Sequence, residues 1–498
     1  MVSKNSQHII DIVSVTAKGA GVGYLNVDNS LSDGSNDSFG TSQGFAIFVE
    51  DALPGDKLKI HILKAKSRYG FGKILEIITP SPHRIESPCP VSHRCGGCQW
   101  QNCNYQAQLM FKKQIVIDAI ERIGGIKNPP VEDVIGHPTG NSAGLKDSIE
   151  AKLHKQSDEV QIWDNNCAPF HYRNKTVFPV VPSNTQDGDN FAIGMFAARS
   201  HRIVEVEYCN IQHPAHIPIL KAMKKYMRRN KVMPYNELSH SGLMRFIMVR
   251  TSITTGEVMV VLVINGKALP LEEKLASTLK EAGASTVVIS KNTSKSNVIL
   301  GDKFRVISGS GTIRETIGDA TYQISAPSFF QINPVQTKTL YEVAVKQAGL
   351  KGKTVIDAHV GAGGVSLFAA KDAKEIIGVD IVQAAIDDGI KNAEINNITN
   401  ITFLCGASED VLPTILEGNK PDIMFLDPPR KGCDIILLET ILLAQIHKIV
   451  YISCEPATLA RDIKILAEGG YSLMSVQPVD MFPHTGKVEV SCLLERVF

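Results

Sequence analysis

The chain has 498 residues, 43% of them hydrophobic and 21% charged, with a formal net charge of +1. That length allows two or three domains with buried cores, and the composition excludes a disordered or fibrous protein. The near-neutral balance excludes a uniformly basic nucleic-acid binder, so any site for a polyanion must be a local patch.

Ten cysteines in this length do not make a disulfide scaffold. The opening stretch MVSKNSQHIIDIV lacks the apolar core of a signal peptide, and apolar runs such as VMVVLVI (258–264) suit buried strands rather than membrane spans. A cytoplasmic protein with no membrane partner is expected. In a reducing compartment, clustered cysteines point to metal or catalysis.

Residues 8–78 hold five strand-like runs separated by glycines: HIIDIVSV, GYLNV, FAIFVE, DKLKIHILKA and FGKILEII. Their spacing predicts a small β-barrel, with LSDGSNDSFGTSQG (31–44) as a flexible loop. Lys57, Lys59, Lys64, Lys66, Arg68 and Lys73 fall along the last two runs, with Tyr69 and Phe71 among them. Cations that grip phosphate and rings that stack on bases suit nucleic acid, although a solvated strand face reads the same way. LPGDKLKIHILKAKSRYGFGKILEI resembles a TRAM domain, a small RNA-binding barrel.

Cys89, Cys95 and Cys98 follow with the spacing C-x5-C-x2-C. Three thiolates this close need a fourth ligand to complete a tetrahedral set. Cys103 is near in sequence, but Cys167, in NNCAPFHYRNK, is the expected fourth ligand. Zinc and an iron–sulfur cluster both accept such ligands, and spacing does not separate them. The spacing does argue against a radical-SAM loop, which is typically C-x3-C-x2-C.

Residues 105–123 read as an amphipathic helix, 136–160 as an exposed excursion, and 170–330 as strands alternating with short helices. Arg173, Lys175, Arg199 and Arg202 are candidates for a basic surface. Lys221, Lys224, Lys225 and Arg228 lie at helical spacing, where a solvated face is the default.

From about Gly349 the pattern becomes strand–helix alternation, which means a doubly wound, mostly parallel sheet. Its glycine loop contains Gly361, Gly363 and Gly364, and Asp380 ends the next strand about twenty residues on. A glycine loop admits a ligand close to the backbone, and the acid can accept bonds from ribose hydroxyls. Both features fit either a dinucleotide or S-adenosylmethionine. Asp427-Pro428-Pro429-Arg430 ends the fourth strand as a stiff turn. Cys454 ends the fifth, with a helix expected near Thr458, and YSLMSVQPVDMFPHTGKVEVSCLLERVF reads as an antiparallel edge hairpin.

A thiol at a ligand cleft, a carboxylate downstream at Glu489, and S-adenosylmethionine are the parts needed to methylate carbon 5 of a pyrimidine. Gln331 and Asn333, just before a helix, are placed to reach the cofactor.

SCEPATLARD, LDPPRKGCD, SFFQINPVQ, CGGCQWQ and DMFPHTGKVE together resemble the RNA uridine-5-methyltransferase family, which includes enzymes acting on 23S ribosomal RNA and on the T-loop of transfer RNA. The resemblance covers nearly the whole chain. It implies a multidomain protein: a TRAM/OB-like barrel over 1–82, a central α+β domain with a 4Fe–4S cluster over 83–325, whose helix 105–123 packs on the catalytic domain, and a Rossmann-like α/β methyltransferase domain over 326–498. It implies Cys454 as nucleophile and Glu489 as base. Cys89, Cys95, Cys98 and Cys167 carry over as cluster ligands. Gln331, His359, Gly361, Gly363, Asp380 and Asp427 carry over as the S-adenosylmethionine site.

Two positions depart from the family pattern: the loop reads AHVGAGGV, and Lys487 stands where a histidine is usual. RNA is the implied partner, ribosomal before transfer, for a monomeric enzyme. The alternatives are a non-catalytic RNA-binding protein on the same scaffold and a nicotinamide oxidoreductase. The second leaves DPPR and SCEPATLARD unexplained.

Overall fold

The computed structural model describes residues 2–26, 44–138, 169–183, 189–418 and 420–497. Residues 31–43 of the expected loop and 139–160 of the expected excursion lie outside them, as does Cys167.

Strands β1 (Gln7–Val15), β2 (Gly21–Leu25), β3 (Phe45–Val49), β4 (Lys57–Ala65) and β5 (Tyr69–Thr79) close into a barrel in the order β1-β2-β3-β5-β4, β1 pairing back onto β4. Alternate residues point inward, as the period-two pattern requires, so Ile10, Ile12, Ile47, Val49, Leu58, Ile60 and Ile62 fill the interior. Helix α1 (Tyr105–Arg122) is started by Asn104, whose side chain accepts from the Ala107 amide.

The central domain is a seven-stranded sheet. It contains β6 (Lys175–Pro182), β7 (Phe191–Phe196), β8 (Ile203–Glu205), β9 (Met244–Thr251), β10 (Val258–Ile264), β11 (Thr286–Lys291) and β12 (Lys303–Ser308), in the order β12-β11-β10-β9-β6-β7-β8. Helices α2 (His216–Asn230) and α3 (Glu272–Glu281) cover one face through Leu220, Met223, Met227, Leu275 and Leu279. From the other face, Met248, Met259 and Val261 join the core of the C-terminal domain. The hairpin β13 (Thr312–Ile317) and β14 (Ala320–Ser325) contributes Ile313, Ile317, Tyr322 and Ile324 to that same core.

The C-terminal domain alternates α4 (Pro334–Ala348), β15 (Thr354–Asp357), α5 (Gly364–Ala369), β16 (Glu375–Asp380), α6 (Gln383–Ile395), β17 (Ile401–Cys405), α7 (Ser408–Gly418), β18 (Ile423–Leu426), α8 (Ile435–Ala444), β19 (Lys448–Ser453), α9 (Pro456–Glu468), β20 (Tyr471–Val479) and β21 (Glu489–Arg496). Its sheet order is β17-β16-β15-β18-β19-β21-β20. The first five strands are parallel, and β21 runs antiparallel between β19 and β20. The order of strand addition reverses at β15, which has β16 on one side and β18 on the other, and ligands of open α/β sheets bind at the carboxyl ends beside such a switch.

Helix α9 begins at Pro456, two residues before the expected Thr458, because proline fits the first helical turn, where its missing N–H is not needed. Helix α1 lays Val116 and Ile120 against Leu459, Ala460 and Ile463 of α9. Among the described residues no helix is long and apolar enough to cross a membrane.

Candidate active site

The glycine loop after β15 is built for close approach. Gly361 and Gly363 take positive φ (55° and 100°), conformations that side chains rarely adopt. Asp380, at the end of β16, accepts from the Gly361 and Val382 amides (3.0 and 2.8 Å). Asp357 anchors the loop from below, through Ser366 Oγ (2.6 Å) and the His359 amide (3.1 Å). Burial pushes the Asp357 carboxyl up to about 6, against the lowering effect of those two bonds.

A cleft runs beside this loop, lined by Gln331, His359, Gly361, Ala362, Asn392 and Asp427 among others. The His359 ring is held as a neutral imidazole. Desolvation, then the charge of Lys431, brings it down to about 4. Its buried Nδ1 has no partner within the protein. Gln331 lines the cleft, and Asn333 is not among its lining residues. Asn333 caps α4 by accepting from Gln336 N and donates to Met481 O (3.3 and 3.2 Å).

Cys454 and Glu489 meet at one end of the sheet. The antiparallel register pairs Ser453 with Val490, so the next residue on each strand stands beside the other. Burial pushes the Cys454 thiol up to about 11. Glu489 and Asp427 add to the rise, and Arg430 opposes it both as a cation and through a side-chain hydrogen bond. Glu489 is 2% exposed, with Oε2 unpartnered. Burial first, then Asp427, holds its carboxyl well above the usual range, against Arg430 and Lys487. Desolvation, then Asp357, pushes Asp427 up to about 7. In the sequence Arg430 and Lys487 stand within motifs that by themselves give neither residue a role. Their signal was their position, directly beside Asp427-Pro428-Pro429 and two residues before Glu489.

The family model for tRNA (Uracil-5-)-methyltransferase matches residues 143–497, and the TRAM domain model matches 10–75. The chain belongs to the tRNA (Uracil-5-)-methyltransferase family. It is an S-adenosylmethionine-dependent RNA methyltransferase with an N-terminal TRAM barrel. An uncharacterized RNA methyltransferase of Halalkalibacterium halodurans is 40% identical over 498 residues, covering 99% of this chain and 98% of that one. One from Clostridium tetani is 39% identical over 497 residues, covering 99% and 97%. In fold the chain is similar to the Pyrococcus abyssi tRNA (uracil-54, C5)-methyltransferase in complex with S-adenosyl-L-homocysteine, with TM-score 0.71 and 24% identity, covering 98% of this chain and all of that one.

Elsewhere in this methyltransferase, Cys89, Cys95 and Cys98 share one neighbourhood with Cys209. Burial pushes the Cys98 thiol up to about 12, and Cys209, Cys95 and Cys89 add to it. Burial likewise takes Cys209 up to about 11, Cys89 and Cys95 contributing. Cys103 is packed apart from them, in a cluster with Trp100 and Phe111. Among the described residues no three metal-capable side chains converge closely enough to hold an ion. The loop is pinned to the central sheet by Gly96 N donating to Phe196 O (3.0 Å), and Gly97 N donates to Cys95 Sγ (3.4 Å).

On the barrel, Phe48, Tyr69 and Phe71 form a ring cluster with centroids 5.7–5.8 Å apart. Lys66 lies over Tyr69, and Arg199 of the central domain lies over Phe71. On α2, by contrast, Lys224 pairs with Glu205 and Arg228 with Asp189, so that stripe is partly neutralised.

Proposed function

We propose that this enzyme transfers a methyl group from S-adenosylmethionine to carbon 5 of a uridine in RNA, through a temporary bond between Cys454 and carbon 6. The observation that carries the reading is the side-by-side exit of Cys454 and Glu489 from adjacent strands, next to the cleft with Asp427 at its edge. Carbon 5 of uracil is a poor nucleophile. Addition of the Cys454 sulfur to carbon 6 pushes the electron pair of the ring double bond toward the carbonyl at carbon 4, and carbon 5 becomes reactive. S-adenosylmethionine bound at the glycine loop supplies the methyl group. Glu489 then takes the proton from carbon 5, the double bond re-forms, and the sulfur leaves with its electron pair.

Arg430 favours the thiolate, and Lys487 favours the ionised base. Lys487 in place of the usual histidine still provides a cation. The residues proposed to hold S-adenosylmethionine are Gln331, His359, Gly361, Gly363, Asp380 and Asp427, and the unpartnered His359 Nδ1 supports an occupant there. The base must leave its stack to reach the thiol. The ring cluster and cations of the barrel support an RNA platform away from the cleft.

Ribosomal RNA is the favoured substrate, since the barrel and the cysteine set occur together. Transfer RNA is the second reading, favoured by the matched family's description and by the Pyrococcus neighbour. Cys89, Cys95 and Cys98 are proposed to hold a 4Fe–4S cluster with Cys209 as fourth ligand. Among the described residues Cys209 is the thiol that shares their neighbourhood, and Cys167, the expected ligand, lies outside those residues. Thiolates are the donors such clusters use. The group would tie the cysteine loop to the central sheet. The deciding experiment is mass mapping of 5-methyluridine in ribosomal and transfer RNA after incubation with enzyme and cofactor. Methylation of neither RNA overturns the reading.

A further inference from the structure

The turn after β18 carries Arg430, and the helix that follows Cys454 reaches back to grip that turn. Thr458 Oγ1 donates to Arg430 O (3.1 Å). Arg461 Nη2 donates to both Lys431 O and Cys433 O (3.1 and 3.2 Å). Asp462, fully buried, accepts from the Cys433 amide (2.9 Å), the Tyr451 hydroxyl (2.6 Å) and Arg461 Nε (2.7 Å). The turn wraps this network tightly. Gly432 has φ +78°, and a Cβ there would fall 2.6 Å from Asp462 Oδ2. The turn also borders a cavity of about 380 Å³ lined by Lys431, Cys433, Arg461 and Asp462. Space therefore lies where packing would otherwise fix the turn, and the polar grip holds it.

We propose that Arg461 and Asp462 are positioning residues that set the reactivity of Cys454 indirectly, by fixing the turn that presents Arg430 to the thiol. The inference rests on Cys454 being the reacting sulfur. The charged groups facing that sulfur are Glu489 on β21, Asp427 and Arg430 after β18, and Lys487 before β21. Arg461 is not among them, so its effect must pass through the turn. A buried carboxylate such as Asp462 is costly unless fully paired, and its bonds to the Cys433 amide and to Arg461, which itself reaches Lys431 O and Cys433 O, tie α9 to the turn. The motif SCEPATLARD thus contains the thiol and, four to eight residues on, the clamp on the neighbouring motif.

The test is the pH dependence of alkylation of Cys454 by iodoacetamide, read as modification of the Cys454 peptide by mass spectrometry in RNA-free protein. Arg430→Met moves the profile upward by about one pH unit, so the rate at fixed pH falls about tenfold. Arg461→Met moves it by a similar amount, and the double variant moves it no further, because both remove one effect. Arg461→Lys, which keeps a cation beside Asp462 and so protects the fold, gives a smaller move in the same direction. The proposal is overturned if Arg430→Met moves the profile while Arg461→Met and Arg461→Lys do not, or if the two methionine effects add. Methyl transfer to RNA by the unaltered enzyme is scored separately, so failure of the functional reading is distinguishable from failure of the clamp.

Discussion

Cys454 and Glu489 end side by side, but the molecule positions them in different ways. The thiol is set by its own strand and by elements close in sequence: β18, its turn, β19 and α9. The carboxylate is set by the segment 480–487, which the rest of the chain holds from several sides. Gln99 and Trp100 amides, from the cysteine loop, both donate to His484 O (3.0 Å each). Gln108 of α1 accepts from His484 N (2.8 Å), and Lys112 of α1 donates to Phe482 O and pairs with the buried Asp480. Tyr105 donates to Asp480 Oδ2 (2.8 Å), and Tyr172 of the central domain donates to Pro483 O (3.0 Å). A Cβ at Gly486 would fall 2.8 Å from Ala17 O, so the barrel presses there too. The proposed base is therefore positioned by domain assembly and the proposed nucleophile by one sheet.

The largest effects should separate the two groups by step. Cys454→Ala abolishes methyl transfer and adduct formation while S-adenosylhomocysteine still binds. Glu489→Gln also abolishes turnover, but it accumulates a covalent enzyme–RNA species, visible as a shifted band on a denaturing gel. The same variant alkylates faster at alkaline pH, because removal of the carboxylate charge lowers the Cys454 thiol. Equal silence from both variants on the gel would erase the division of labour.

A smaller effect tests assembly. Lys112→Met leaves Asp480 as a buried, unpaired charge, which costs about 3–5 kcal/mol where a buried pair is broken. Release of the adduct should slow, since the 480–487 segment loses its α1 anchor, while Cys454 alkylation stays as it was. Lys112→Met with Asp480→Asn recovers much of the stability, seen as the denaturant midpoint returning toward that of the unaltered protein. A thiol profile that moved together with adduct release would show the two sides to be one unit.

The same contrast decides what was legible in the sequence. The parallel sheet, the glycine loop, Asp380, Asp427 and the place of Cys454 follow from local pattern, since strand period and helix-start chemistry are written within a few residues of each. The barrel was legible for the same reason. Cys209 was not, because its nearness to Cys89, Cys95 and Cys98 arises from pairing between the cysteine loop and the central sheet, more than a hundred residues on. Asn333 caps α4 locally through Gln336 N, a role legible in Asn-Pro at a helix start, whereas its bond to Met481 depends on where α4 docks. The clamp of Arg461 on Lys431 and Cys433 lies within one domain, yet nothing in a helix-face pattern says which carbonyls a guanidinium will find.

Asp427 stands between the two sides, so Asp427→Asn gives the smallest and finest comparison. It is the largest charge acting on Glu489 but comes behind Glu489 and Arg430 in its effect on Cys454. Removing it should lower the base more than the thiol, and methyl transfer falls with loss of the cleft carboxylate. Stability moves the other way. The folded carboxyl is raised to about 7 from an ordinary 3.8, so between these values the folded chain keeps a proton that the unfolded chain has lost. Its contribution is therefore most favourable below about pH 4 and is lost as pH rises through about 7. The asparagine variant should be more stable than the parent by roughly 2–4 kcal/mol at pH 8, and by distinctly less at pH 5. Thermal unfolding at the two pH values measures the difference. A gain independent of pH would mean that side-chain packing, rather than the charge shared by the two sides, sets the strain at their junction.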